Sequence, residues 1–174
     1  MLTPGRAEPR AVVRPARAND VAGLGAFLVR AWKEAGPEAL GFTGATEESI
    51  RVISSPEFLA KRLSSPKVRI FVAEVNPELV GFAVLRRQAG DFFELSGIAV
   101  LESVTGRGIG SRLATKACDA ARKLGATKVV VKTEAFNARA VAFYKKLGFL
   151  EASRTTQKVG RRRVPLQILE RRLR

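Results

Sequence analysis

The sequence predicts a mixed α/β domain, a mostly antiparallel sheet of six to seven strands flanked by about four helices. Three observations carry this prediction. After residue 90, apolar β-branched runs alternate with helical patterns as strand, helix, strand, helix, which requires right-handed crossovers and a locally parallel sheet. On either side of that stretch, paired apolar runs are separated only by short turns, as in antiparallel hairpins. No Pro/Gly/Ser-rich linker or repeated block divides the 174 residues, so 11–174 read as one domain behind a flexible tail, residues 1–10.

The first element is a short strand, "AVVRPA" (11–16). Asn19 or Asp20 can then cap a helix with Val21, Leu24, Phe27, Leu28, Ala31 and Trp32 on one face. "GPEALGFTGAT" breaks that pattern, and a second helical stretch runs from about Glu47 to Leu63, with Pro56 bending or splitting it. "VRIFVAEV" (68–75) and "LVGFAVLRRQ" (79–88) form a hairpin across a tight turn in which Pro77 presets the backbone. A third strand, "FFELSGIAVL" (92–101), leads through a glycine-rich turn into a helix whose apolar positions Ile109, Leu113, Ala117, Ala120 and Leu124 recur at helical spacing. Cys118 adjoins that face as a small core residue. Gly125 ends the helix, "TKVVVKTE" (127–134) is a strand, and "NARAVAFYKKLGF" (137–149) is a helix closed by Gly148. The remainder reads as two strands turning at Gly160.

Composition narrows the function classes. No apolar run approaches the roughly 18 residues that cross a bilayer, and the basic N-terminus lacks the apolar region of a secretory signal, so the expectation is a cytoplasmic protein without a membrane partner. A single cysteine excludes an intrachain disulfide, and the absence of histidine argues against a zinc site of the usual ligands, so no metal is expected. The net charge of +15 attracts anions: phosphorylated cofactors, acidic peptides, or nucleic acid bound weakly and without sequence preference. A solvated, arginine-rich surface would give the same charge.

The stretch "VTGRGIGSRL" (104–113) carries the chemistry. A strand that ends in a glycine turn and opens a helix aims unpaired backbone N–H groups, and the positive end of a helix dipole, at one point. Glycines let an anion approach without an intervening Cβ and permit positive φ. The dinucleotide fingerprint would need Gly or Ala at Ser111, and a Walker loop would need Gly-Lys-Ser/Thr before the helix; neither is present. On this segment alone, a turn that merely needs flexible glycines is the competing reading.

"IAVLESVTGRGIGSRL", followed about thirty residues later by "NARAVAFYKKLGF", resembles the GNAT superfamily of acetyl-CoA-dependent N-acetyltransferases, and the resemblance covers about Val68 to Leu173. In that family the loop reads Gln/Arg-x-x-Gly-x-Gly/Ala; Gly108 and Gly110 match, while Thr105 stands at the Gln/Arg position. The resemblance implies a sheet splayed at the site of acetyl-CoA. It implies that Gly106, Arg107, Gly108, Ile109, Gly110 and Ser111 surround the CoA diphosphate, with Arg112 adding charge. Ile98, Ala99 and Val100 would lie beside the pantetheine arm as if it were an added strand, and Asn137 would bind the pantetheine or its neighbouring backbone. Tyr144, within "N-x-x-A-x-x-F-Y-x-x-x-G-F", would sit near the sulfur as the catalytic acid. Read without the family, Asn137 is a helix cap and Tyr144 a core residue.

Acetyl transfer to an amine needs a neutral amine, stabilisation of the oxyanion and a proton for the departing thiolate. For the base the sequence offers Glu94 in the central strand and Glu134 at the end of the next parallel strand. Strand alternation would place Glu94, Ser96, Ile98 and Val100 on one face. Histone-type family members carry a glutamate that aligns with Glu94; the ribosomal-protein N-terminal acetyltransferases carry one five residues before the asparagine, where this chain has Lys132. A carboxylate paired structurally to an arginine is the other reading of Glu94. The activity implied is transfer of an acetyl group to an amine-bearing acceptor, a protein lysine or N-terminus ahead of a small molecule, bound by the segment from Trp32 to Leu63 and the final hairpin. A basic nucleic-acid-associated protein and an acyl-CoA sensor without turnover are the alternatives.

Overall fold

The structure is a computed structural model that describes residues 10–39, 46–159 and 161–173. Strand β1 (Val12–Pro15) leads through one 3-10 turn (Ala18–Asp20) into α1 (Val21–Ala39), followed by α2 (Glu47–Ile53) and α3 (Pro56–Ser64). Then come β2 (Val68–Val75), β3 (Glu78–Arg87), β4 (Phe92–Val100), α4 (Ile109–Lys123), β5 (Lys128–Glu134), α5 (Ala138–Lys146), β6 (Leu150–Val159) and β7 (Arg162–Arg172). The seven strands form one sheet in the order β1-β2-β3-β4-β5-β7-β6. Only the β4–β5 pair is parallel. The expected mixed, mostly antiparallel sheet is present, flanked among the described residues by five α-helices.

Two local expectations are corrected. Neither Asn19 nor Asp20 is the N-cap of the first helical segment: Arg17 holds that place, and the Asp20 carboxylate reaches back to accept from the Arg17 amide at 2.6 Å. Asp20 is drawn there by Arg14, whose guanidinium forks onto both of its oxygens at 2.7 and 2.9 Å and also meets Glu74 at 2.7 Å. Helix α1 then continues to Ala39, through Gly36 and Pro37, which were expected to break it. A proline near the end of a helix removes only one hydrogen bond, and its φ is already helical. Pro56 does split the second stretch, as N1 of α3, where its missing N–H costs nothing, behind the N-cap Ser55. The turn expected at Gly160 and residues 1–9 of the expected tail 1–10 lie outside the described residues.

Helices cover both faces of the sheet. Phe27 of α1 meets Phe82 of β3 edge-on, with ring centroids 5.6 Å apart. Helix α1 lies so close to the α2–α3 turn that a Cβ on Gly25 would stand 2.7 Å from the Ser54 carbonyl oxygen. On the opposite face α4 buries Ile109, Leu113, Ala114, Ala117, Cys118 and Ala121. Leu124 is 44% exposed because it follows the last turn, where Gly125 (φ 82°) leads the chain away. Burial pushes the Cys118 thiol pKa up, as suits a core residue.

Two features of β4 shape the sheet around it. It pairs with β5 through only three residues, Phe92 with Lys128, Phe93 with Val129 and Glu94 with Val130; beyond them the strands part. Against β3, Val84 faces Gly97 while Leu85 faces Leu95, so Ser96 is an extra residue, a β-bulge. The bulge reverses the alternation. Glu94 shares the α1 side of the sheet with Gly97 and Ala99, whereas Ile98 and Val100 turn to the α4 side. The expected common face of Glu94, Ser96, Ile98 and Val100 is therefore not formed.

Candidate active site

The parting of β4 and β5 opens a cleft of about 1480 Å³. That exceeds the roughly 300–1,000 Å³ of a typical single-ligand pocket, leaving room for two substrates together. Beyond Glu94, the β5-facing backbone of β4 has no strand partner among the described residues. Ile98, Ala99 and Val100 line the cleft there, as an added extended chain would require.

At the end of β4 the chain turns through Gly106 (φ 84°) and Gly108 (φ 73°) into α4. A Cβ built at either glycine meets nothing within 4 Å, because each faces the open cleft. Gly108 is the helix N-cap and makes no side-chain cap bond, so the first amides of this 15-residue helix point outward without an intrahelical acceptor. Their N–H groups and the helix dipole suit an anion such as a diphosphate. Ile109, Gly110 and Ser111 continue this wall, and Gly110 lies where a Cβ would come to 3.4 Å from Phe143 of α5. Two expected contacts differ. The exposed Arg107 is not among the residues that line the cleft. Arg112 points to the other side of α4, donating to the Ala11 carbonyl at 2.7 Å.

Asn137 is the N-cap of α5; its Oδ1 accepts from the Ala140 amide at 3.0 Å, which leaves its Nδ2 group to donate into the cleft that it lines. Two turns later Tyr144 is 7% exposed, its ring held edge-on by Phe143 at 5.2 Å and Phe149 at 5.6 Å. Burial pushes its phenol pKa well up, so the hydroxyl stays protonated at neutral pH. Its ring packs in the core, as the reading without the family expects, and the residue also lines the cleft.

Glu94 is also 7% exposed. Its Oε2 accepts from Arg86 Nη2 at 3.1 Å and from Gln88 Nε2 at 3.0 Å, and it lies 3.5 Å from Lys132 Nζ. Glu134, equally buried, lines the same cleft from the end of β5. Arg86, Gln88 and Lys132 were not assigned to this carboxylate from the sequence. The register was nonetheless within reach: the turn at Gly90 folds β3 back on β4 and sets Arg86 opposite Glu94. On the remaining walls are Ser49 and Ile53 of α2, Arg62 of α3 and Thr155 to Lys158 of β6, which brings the segment expected to hold an acceptor and the final hairpin to one opening.

The sequence profile of the acetyltransferase (GNAT) family matches residues 32–149. The chain belongs to this family. Among curated GNAT relatives, an uncharacterized N-acetyltransferase of Escherichia coli, YjgM, is 31% identical over 61% of this chain and 66% of its own. N-alpha-acetyltransferase 30 of Schizosaccharomyces pombe is 30% identical over 48% of this chain and 59% of its own. The match thus spans about three fifths to two thirds of these relatives. The GNAT fold also appears in the PaiA N-acetyltransferase of Thermoplasma acidophilum, crystallised with coenzyme A. It is 22% identical, with a TM-score of 0.72 over 94% of this chain and 99% of that one. Among the described residues no helix is long and apolar enough to cross a membrane.

Proposed function

We propose that the protein transfers the acetyl group of acetyl-CoA to a primary amine by direct attack in a ternary complex, the acceptor being a protein lysine or N-terminus. The observation that carries this reading is the parting of β4 and β5 beside the open amides of Gly106–Ser111, with Tyr144 in the same cleft. The glycine turn fits a diphosphate: it offers donors, a helix dipole and no Cβ in the approach. Gly106, Gly108, Ile109, Gly110 and Ser111 hold the diphosphate, with Arg107 acting through its backbone. Ile98, Ala99 and Val100 align the pantetheine arm by backbone pairing, and the Asn137 amide donates to it. Acetyl-CoA supplies the acyl group as an activated thioester.

The acceptor amine must first lose its proton, and a lysine with an ordinary pKa of about 10.4 needs far more help than an α-amine near 8. Glu94 takes that proton, directly or through one water, from the α1 side of the sheet. Tyr144, kept protonated by burial, donates its hydroxyl proton to the departing sulfur. Supporting this reading, both residues line one cleft.

Labelled acetyl-CoA incubated with the purified chain and a panel of peptides, polyamines and aminoglycosides tests the proposal. Label in a peptide amine is the expected result. Label only in the polyamines or aminoglycosides would make the acceptor a small molecule, and acetyl-CoA binding with no labelled acceptor would leave a sensor.

A further inference from the structure

On the α1 side the cleft carries Arg62, Arg86 and Lys132 against the carboxylates Glu94 and Glu134. Arg86 and Lys132 share a single oxygen of Glu94. The half-buried Arg62 has no ion-pair partner among the described residues; its guanidinium is laid over the Phe58 ring, 5.3 Å from the centroid. Stacking of this kind fixes a cation without neutralising it. The Arg86 side chain is 42% exposed and makes one side-chain hydrogen bond, through Nη2, so its Nη1 donors have no acceptor among the described residues. An exposed guanidinium with donors to spare can take an incoming carboxylate as a charge-assisted acceptor.

We infer that the acceptor amine carries a carboxylate a few bonds away, bound by the Arg62 and Arg86 guanidinium groups, as in an amino acid or a peptide with an acidic first residue. This rests on the acetyl-transfer part of that reading, and it sets the acceptor as an α-amine, of a peptide N-terminus or of a free amino acid, in place of a lysine side chain. The spacing comes from the site itself. Arg86 Nη2 is 3.1 Å from the proposed base Glu94, so a carboxylate on the Arg86 fork leaves its molecule's amine beside Glu94 only if the two groups are separated by a few bonds. A guanidinium presents paired donors in the geometry a carboxylate accepts, which an ammonium does not. Lys132, 3.5 Å from Glu94, offsets the repulsion between that carboxylate and the acceptor's.

The test uses the full chain, acetyl-CoA and acceptor pairs that differ only in charge. One arm compares C-terminally amidated tripeptides beginning with Asp or Glu against those beginning with Asn or Gln; the other compares free amino acids with their amides. Acetyl-CoA binding is measured by calorimetry in parallel. The expected kcat/KM favours the acid of a pair by about tenfold or more. That ratio should collapse towards one in Arg62→Gln and Arg86→Gln, recover only in part in Arg86→Lys, and shrink at high salt. The arm with the larger ratio identifies peptide or amino acid. If the protein binds acetyl-CoA and acetylates the neutral member equally well, or neither series, the inference is overturned and the cofactor site stands. If acetyl-CoA does not bind, the acetyltransferase reading itself has failed.

Discussion

Replacing Gly108 with alanine separates two roles that one glycine fills. The residue sits at φ 73°, and a Cβ there meets no atom within 4 Å, so the folded state suffers backbone strain but no clash. A non-glycine residue in the left-handed region costs about 1–2 kcal/mol. For a chain of this size that lowers Tm by about 2–8 °C. Gly125 supplies the matched control: its φ is 82°, its built Cβ also meets nothing within 4 Å, and it follows the far end of α4, away from the cleft. Gly125→Ala should therefore cost the same stability. Binding should distinguish them. The alanine methyl at 108 projects into the space an anion must enter to reach the helix amides, and a hydrogen bond to a charged group is worth about 1.5–3 kcal/mol. Loss of one such bond weakens acetyl-CoA about 10- to 100-fold. Thermal melts and calorimetric titration of both variants measure the two effects. Equal drops in Tm with unchanged acetyl-CoA affinity in Gly108→Ala would refute the anion cradle and leave the glycine as a turn residue only.

Three further outcomes are expected. Tyr144→Phe keeps the ring packing and cofactor affinity within a few-fold, but slows single-turnover acetyl transfer about 10²-fold, as for loss of a general acid. Glu94→Gln lowers the rate most near neutral pH, and the deficit shrinks as pH rises and the amine arrives neutral; a pH–rate profile that is altered for Glu134→Gln and not for Glu94→Gln moves the role to Glu134. The Asp20 carboxyl, held below its usual range chiefly by the Arg14 hydrogen bonds, contributes stability that is complete above its unfolded pKa of about 3.9. That stability is lost as pH falls through the lower native value, so acid denaturation followed by circular dichroism should be less steep in Asp20→Asn.

Much of this fold is legible in the residues because its determinants are local. The glycine turn, the Pro56 break, the Asn137 cap and the closing glycines 125 and 148 each depend on a few neighbouring dihedrals. What escapes is what belongs to two segments at once. The Ser96 bulge exists only as a mismatch between β3 and β4, so simple alternation put Ile98 and Val100 on the wrong side. Arg112 looks like a phosphate ligand by its place in the loop, but the helix turns it towards a carbonyl 101 positions earlier. Asp20 looks like a cap until Arg14 and Glu74 are seen to complete the same network. The Glu94 surroundings were half legible: the residue stood out, while its partners Arg86, Gln88 and Lys132 required strand register.

The three-residue contact between β4 and β5 also acts as a mechanical seam. On one side lie four strands joined by antiparallel ladders, on the other three, and between them the sheet itself supplies only the pairs at Phe92, Phe93 and Glu94. Local opening favours the weakest junction, so backbone amides at this seam should exchange with solvent sooner than those in the interiors of the two blocks. Helix α4 packs across β3, β4 and β5 and so clasps the blocks together. A ligand seated on the first turn of that helix and along the free edge of β4 would bridge the same line. Occupancy of the cleft and cohesion of the two half-sheets then become one quantity, which deuterium uptake at residues 128–134 can track with and without acetyl-CoA.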